Sequence, residues 1–188
     1  MLTWLKERAA RRETASELYG VVVARAREPL FYRDWGVPDT PEGRYEMVAL
    51  HLVLVLERLR VEGTAGQRLS RETIEAFVAD MDDSMREMGV GDLTVPKKVK
   101  SAAAGVYARA EAFRAALAAD AAPDALAAAI QRLTFGASCD NTEATTAEVD
   151  ARRAQTVARY VRNTSRELAG ITSEVVLAGR ITFQKVSA

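Results

Sequence analysis

The sequence predicts an all-α protein, a single compact bundle of roughly six to eight helices. Two observations carry this. Apolar residues recur at three- and four-residue steps through most of the chain, and no stretch sustains the apolar–polar alternation of a half-buried strand. Glycines and prolines fall between these periodic stretches, where helices start and stop. The 188 residues are enough for one domain with a real core.

Residues 1–12 predict a short amphipathic N-terminal helix, with Trp4 and Leu5 beside Lys6, Arg8, Arg11 and Arg12. Residues 13–188 are expected to form one helical domain. The segment 1–12 is expected to dock on that domain or fray. The other reading is a surface contact with membrane or ribosomal RNA, since tryptophan and bases together suit an interface. A helix is expected over residues 16–27, with Leu18, Val21, Val22 and Ala26 on one side, and Pro29 ends it at Glu28. Leu30, Phe31, Tyr32 and Trp35 then form an aromatic knot, expected to be a loop pinned into the core rather than an exposed binding patch.

Thr40-Pro41-Glu42 is a helix start with a capping residue, a first-turn proline and a first-turn acid. The helix over residues 41–60 is apolar nearly all round between Met47 and Leu56, which marks it as the central buried helix. His51 lies within it and is expected to be a satisfied core residue. Haem ligation there would need a second ligand or an attachment motif, and neither is visible. Residues 63–66 are expected to be a loop, with Ser70 capping a helix that runs to Met88.

Ile74, Phe77, Val78, Met81, Met85 and Met88 share one face of that helix. The methionines are expected in the core; the other reading is a flexible apolar groove. Gly89 stops the helix, because glycine reaches the left-handed conformation of a C-terminal cap at little cost. Thr94 is expected to cap the next helix, and Pro96 fits its first turn. That helix runs to about Leu117, and Pro123 opens another through Leu133. Residues 135–145 are expected to be a loop, and residues 147–168 a last long helix with Val149, Val157, Tyr160, Val161 and Leu168 apolar. Residues 175–177 look helical and residues 181–183 extended.

Charge on either side of the Gly89 turn is lopsided. Residues 71–92 carry seven acids against Arg71 and Arg86, whereas residues 97–114 carry five bases against Glu111. Lys97, Lys98 and Lys100 sit in the first turn of a helix, the wrong end of its dipole for cations. Either the acidic helix before the turn faces them, which is the expectation, or an external anion or acidic partner does.

Composition excludes several classes of function. Formal net charge is zero, so no general pull toward DNA or anionic lipid exists. One cysteine, Cys139, rules out an internal disulfide and fits a reducing compartment; with the one histidine, it makes a zinc site of the usual kind untenable. The longest apolar stretch, 47–56, falls far short of the roughly 20 residues of a membrane span. No phosphate-binding loop, dinucleotide fingerprint, nucleophile elbow or H-E-x-x-H pair occurs. Asp82, Asp83 and Glu87 are adjacent acids that diverge on a helix and read as a solvated face rather than a metal cage. No cofactor and no metal are expected.

Two stretches resemble a known family. They are M-D-D-S-M-R-E-M-G-V-G-D-L-T-V-P-K-K-V-K at 81–100 and A-R-E-P-L-F-Y-R-D-W-G-V-P-D-T-P-E-G-R-Y-E-M-V-A-L-H at 26–51. Both are long and oddly composed, and both resemble the ubiquinol–cytochrome c chaperone family, the assembly factors for cytochrome b of the bc1 complex. The resemblance runs from about Leu18 to the C-terminus and thins after about Leu117. It implies a non-catalytic chaperone that binds newly made cytochrome b and promotes assembly of ubiquinol–cytochrome c reductase. In mitochondria such proteins act with a small helical partner and near the ribosomal tunnel exit. The chain shows no obvious mitochondrial presequence, so the expectation is a bacterial member, cytoplasmic and peripheral at the inner face of the membrane.

By position, Asp82, Asp83, Arg86, Glu87, Asp92, Lys97, Lys98 and Lys100 are the candidate client- or partner-binding residues, with Gly89, Gly91 and Pro96 shaping the same motif. The alternative is a small helical enzyme or adaptor with an unrecognised site. Paired acids are compatible with an enzyme, but no base, metal cage or cofactor loop accompanies them.

Overall fold

The structure, a computed structural model, describes residues 2–118, 120–136 and 144–185, with side chains from residue 8 in the first stretch and from residue 147 in the last. Cys139 lies outside the described residues, as do the side chains of Trp4, Leu5 and Lys6. In order, the helices are α1 (Leu2–Ala26), α2 (Pro29–Arg33), α3 (Pro41–Arg60), α4 (Gly63–Glu87), α5 (Val95–Leu117), α6 (Ala125–Ile130), α7 (Ala144–Ala169) and α8 (Ser173–Leu177). A π-helical turn, Gln131–Phe135, continues α6. No strand occurs among the described residues, and the fold is all-α as the sequence predicts.

Helix α3 is the axis of the bundle. Thr40 caps it by accepting a hydrogen bond from the Gly43 amide at 3.1 Å, and Pro41 occupies the first turn, where no amide partner is needed. Residues 47–56 are all buried. Each fully buried Leu or Val there contributes roughly 1.5–3 kcal/mol of transfer free energy. Helices α1, α4, α5 and α7 all pack on α3, which explains why it is apolar all round.

Three boundaries depart from the sequence reading. The expected segment 1–12 and the helix from Ser16 are one helix, α1, because residues 13–15 contain no breaker and α1 lies along α4. Ala15 is buried, and the Thr14 hydroxyl donates back to the Ala10 carbonyl at 3.0 Å.

The expected loop 63–66 is instead the first turn of α4, and Ser70 is interior to that helix. Gly63, at φ +61°, takes the left-handed conformation that completes the short turn from α3 into α4. Gly66 lies so close to α3 that a Cβ would stand 2.0 Å from the Leu59 carbonyl oxygen. Thr94 precedes α5 without a side-chain cap; the backbone amides of Thr94 and Val95 instead both donate to the Gly91 carbonyl, at 2.8 and 3.2 Å.

The aromatic knot is pinned into the core, as expected, and includes one helical turn, α2. The Phe31 ring centroid lies 5.2 Å from Trp35, 5.4 Å from His51 and 5.3 Å from Tyr160. His51 is fully buried and satisfied. Its Nδ1 is 2.7 Å from the Met47 carbonyl, which can only accept, so Nδ1 carries the proton. Arg25, buried beside it, donates from Nε to the Tyr160 hydroxyl at 3.0 Å and from Nη2 to the Gln184 carbonyl at 2.7 Å, holding the extended segment 181–185 onto the core. At the other end of α3, Arg58 donates to the carbonyls of Leu168 and Ile171, at 2.9 and 2.6 Å, and pairs with Glu62. A cation there suits the negative end of the α7 dipole and ties the turn after it to α3.

Candidate functional site

The site is built on the corner between α4 and α5. Gly89 has φ +77°, its amide donates to Arg86 at 2.9 Å, and the Val90 amide donates to Met85 at 3.0 Å. This pair of bonds is the Schellman motif, which closes the carbonyls at a helix end. The Arg86 guanidinium locks the corner from outside: Nε donates to Asp82 at 2.6 Å, and Nη1 pairs with Asp92 across the turn. Two carboxylates on one fork hold the Arg86 proton more tightly than usual, the Asp82 hydrogen bond contributing most.

This arrangement overturns the expected charge pairing. Asp82 and Asp92 are engaged by Arg86, not by the lysines. Lys97, Lys98 and Lys100 are exposed and have no ion-pair partner among the described residues. Arg86 wins because its planar fork reaches both carboxylates at once, from within the same helix and across a short turn. Asp83 and Glu87 are exposed as well.

The methionines are a second correction. Met81 and Met85 are half-buried, Met81 packing on the edge of the core, and Met88 is 58% exposed, so none of the three is a fully buried core residue. They line an open groove of about 1250 Å³ between the start of α3, the C-terminal half of α4 and α5. Val48, Tyr45, Val90 and Leu133 complete its apolar surface. Tyr45 is held there by a hydrogen bond from its hydroxyl to the Ala102 carbonyl at 2.9 Å, and Arg109 lies over its ring at 5.1 Å. Burial raises the Tyr45 pKa above its ordinary value, so the hydroxyl stays protonated and can donate. Arg109 also pairs with Glu46, which fixes the groove floor between α3 and α5.

Of the residues singled out in the sequence, Glu87 and Lys98 border the groove; Asp82, Asp83, Arg86, Asp92, Lys97 and Lys100 do not line it. Tyr45, Val48 and Leu133 were not picked out, because nothing local in the sequence says that the start of α3 faces the end of α4. The recurrence of Met81, Met85 and Met88 on one helical face is the one signal that pointed at this groove.

Among the described residues, no group of three or more His, Cys, Asp or Glu could hold a metal ion, and no helix is long and apolar enough to cross a membrane. What the bundle offers is an adaptable apolar groove with charged rims.

The sequence model of the family Ubiquinol-cytochrome C chaperone matches residues 33–183, and the chain belongs to this family. It is 36% identical to the protein in the crystal structure of the Cbp3 homolog from Brucella abortus, with a TM-score of 0.80 over 98% of this chain and 97% of that one. It is also 24% identical over 171 residues to ubiquinol-cytochrome-c reductase complex assembly factor 1 of Xenopus laevis, covering 90% of this chain and 80% of the frog protein. The mouse protein of that name is 23% identical over 90% of this chain, which spans 54% of its length. The family is one of assembly factors and chaperones of ubiquinol–cytochrome c reductase.

Proposed function

We propose that this protein is a non-catalytic chaperone that binds newly made cytochrome b and passes it into the bc1 complex. The observation that carries the proposal is the methionine-lined groove. Its volume of about 1250 Å³ accommodates on the order of three turns of helix. Unbranched thioether side chains repack against varied apolar surfaces, which suits a client whose segments differ from one another. A client that spans the bilayer must keep its apolar segments covered before assembly. In this reading the chaperone works peripherally at the cytoplasmic face of the membrane, and the unpaired Lys97, Lys98 and Lys100 meet an acidic partner surface, ribosomal RNA or lipid head groups.

The test is co-purification of cytochrome b with tagged protein, comparing the native chain with Met81→Glu/Met85→Glu. Both methionines are half-buried at the groove, so the helix tolerates the change better than a core position would. The expected result is loss of cytochrome b from the pull-down and loss of assembled bc1 complex, with the melting temperature nearly kept. Undiminished capture of cytochrome b by the variant would remove the groove from the mechanism.

A further inference from the structure

We infer that the cleft between α2 and the start of α3 is a carboxylate site that reads an acidic residue of the polypeptide seated in the methionine groove; this rests on the client-binding reading above. The cleft, about 520 Å³, is lined by Arg27, Pro29, Tyr32, Arg33, Asp39 and Arg44. Arg27, Asp39 and Arg44 also line the groove, so the two spaces are continuous. Three exposed arginines line it against a single carboxylate, that of Asp39.

Two of these arginines are already engaged. Arg44 pairs with Asp39 at 2.6 Å, and Arg33 grips Asp34 with two bonds of 2.7 and 2.8 Å. Arg27 has no ion-pair partner among the described residues. It is placed by the backbone instead: it directly follows α1, its amide donating to Val23 at 3.1 Å, where the helix dipole is negative. The dipole stabilises the cation and leaves its fork open.

The walls around it are stiff. Pro29 opens α2, and the Tyr32 hydroxyl donates to the Ala26 carbonyl at 2.7 Å. The planar guanidinium fork of Arg27, free to turn beside these walls, matches a carboxylate in a bidentate geometry. The adjoining apolar groove excludes water from one side once it is filled, which strengthens the charge pairing. The occupant with this chemistry is an apolar segment carrying Asp or Glu at one end. The cleft then sets which way along the groove the segment lies, and which segments are accepted.

Fluorescence anisotropy with two labelled synthetic peptides tests this. Both are leucine- and alanine-rich helices; one ends in a Glu pair and the other in a Gln pair. The Glu peptide should bind the native chain about tenfold more tightly, and the preference should shrink as salt rises. Arg27→Gln should cut the preference to about twofold by weakening the Glu peptide far more than the Gln peptide, with the melting temperature unchanged.

Equal binding of the two peptides to the native chain overturns the carboxylate site and leaves the groove reading standing. Failure of both peptides to bind removes the groove reading and the inference together. Vesicles of phosphatidylglycerol in phosphatidylcholine form the third arm. Binding that Arg27→Gln abolishes, without any peptide preference, assigns the cleft to a phosphate headgroup and overturns the inference.

Discussion

The Tyr160 hydroxyl donates to His51 Nε2 at 2.7 Å, joining α7 to α3 at the centre of the core. The direction of this bond follows from the protonated Nδ1, which leaves Nε2 as the acceptor. The same hydroxyl accepts from Arg25 Nε at 3.0 Å, so one phenol satisfies a cation and an imidazole. Tyr160→Phe therefore leaves two buried donors or acceptors unpaired, at a cost of about 2–4 kcal/mol. Urea unfolding measures it; a loss below about 1 kcal/mol would mean that water replaces the hydroxyl.

The His51 environment also predicts how stability depends on pH. Burial, opposed by the Met47 hydrogen bond and aided by the neighbouring Arg25 cation, brings its pKa down to about 3. In the unfolded chain the imidazole titrates near 6.5. Between these values the unfolded chain takes up a proton that the folded chain refuses, so stability falls as pH falls. Between pH 6.5 and 5.5 the expected loss is about 1 kcal/mol, before most carboxylates titrate. His51→Gln should flatten the unfolding midpoint across that interval.

Two glycines should respond differently to substitution. At Gly66 a Cβ meets the Leu59 carbonyl at 2.0 Å, so Gly66→Ala must push α4 off the end of α3. The expected cost is about 2–3 kcal/mol. At Gly89 nothing lies within 4 Å, and only φ +77° is at issue. Gly89→Ala should cost about 1–2 kcal/mol, and Gly89→Asn less, since asparagine accepts the left-handed region. Asparagine at 66 should do no better than alanine. Thermal melts of the four variants decide it.

The basic start of α5 gives a prediction of unusual sign. Lys97 and Lys98 have no ion-pair partner among the described residues and oppose the helix dipole. Lys97→Glu/Lys98→Glu places acids where the dipole favours them, a gain of roughly 0.3–1 kcal/mol each. Exposed, screened repulsion from Asp83 and Glu87 offsets part of that. The melting temperature should stay level or rise slightly, while association with any anionic partner is lost. A clear fall in melting temperature would show that the acids of α4 stabilise these lysines after all.

How much could be read in advance divides along physical lines. Thr40-Pro41 and Gly89 act through their own backbone and their immediate neighbours, so the α3 start and the α4 end were legible. The all-round apolar run at 47–56 announced the central helix, because no exposed face survives on a helix with four helical neighbours.

What escaped depends on partners distant in sequence. Gly66 looks like a loop residue until the Leu59 carbonyl is placed beside it. Met81, Met85 and Met88 share a face, and periodicity reports that much; how far the face is covered is a tertiary fact, and among the described residues it is covered only in part. Arg86 was among the candidate binding residues, yet its fork is spent on Asp82 and Asp92, because a turn of few residues brings the second acid within reach. Lys98 and Glu87 alone of that set border the groove.

The bond from Arg25 to the Gln184 carbonyl has a consequence in time. These residues are 159 apart in sequence, and synthesis at about 5–20 residues per second separates their appearance by roughly 8–30 s. Until residues 181–185 emerge, the Arg25 guanidinium and the face of His51 that Phe183 covers stay open to solvent. The helices can associate before then, but this side of the core closes only once residues 181–185 are in place.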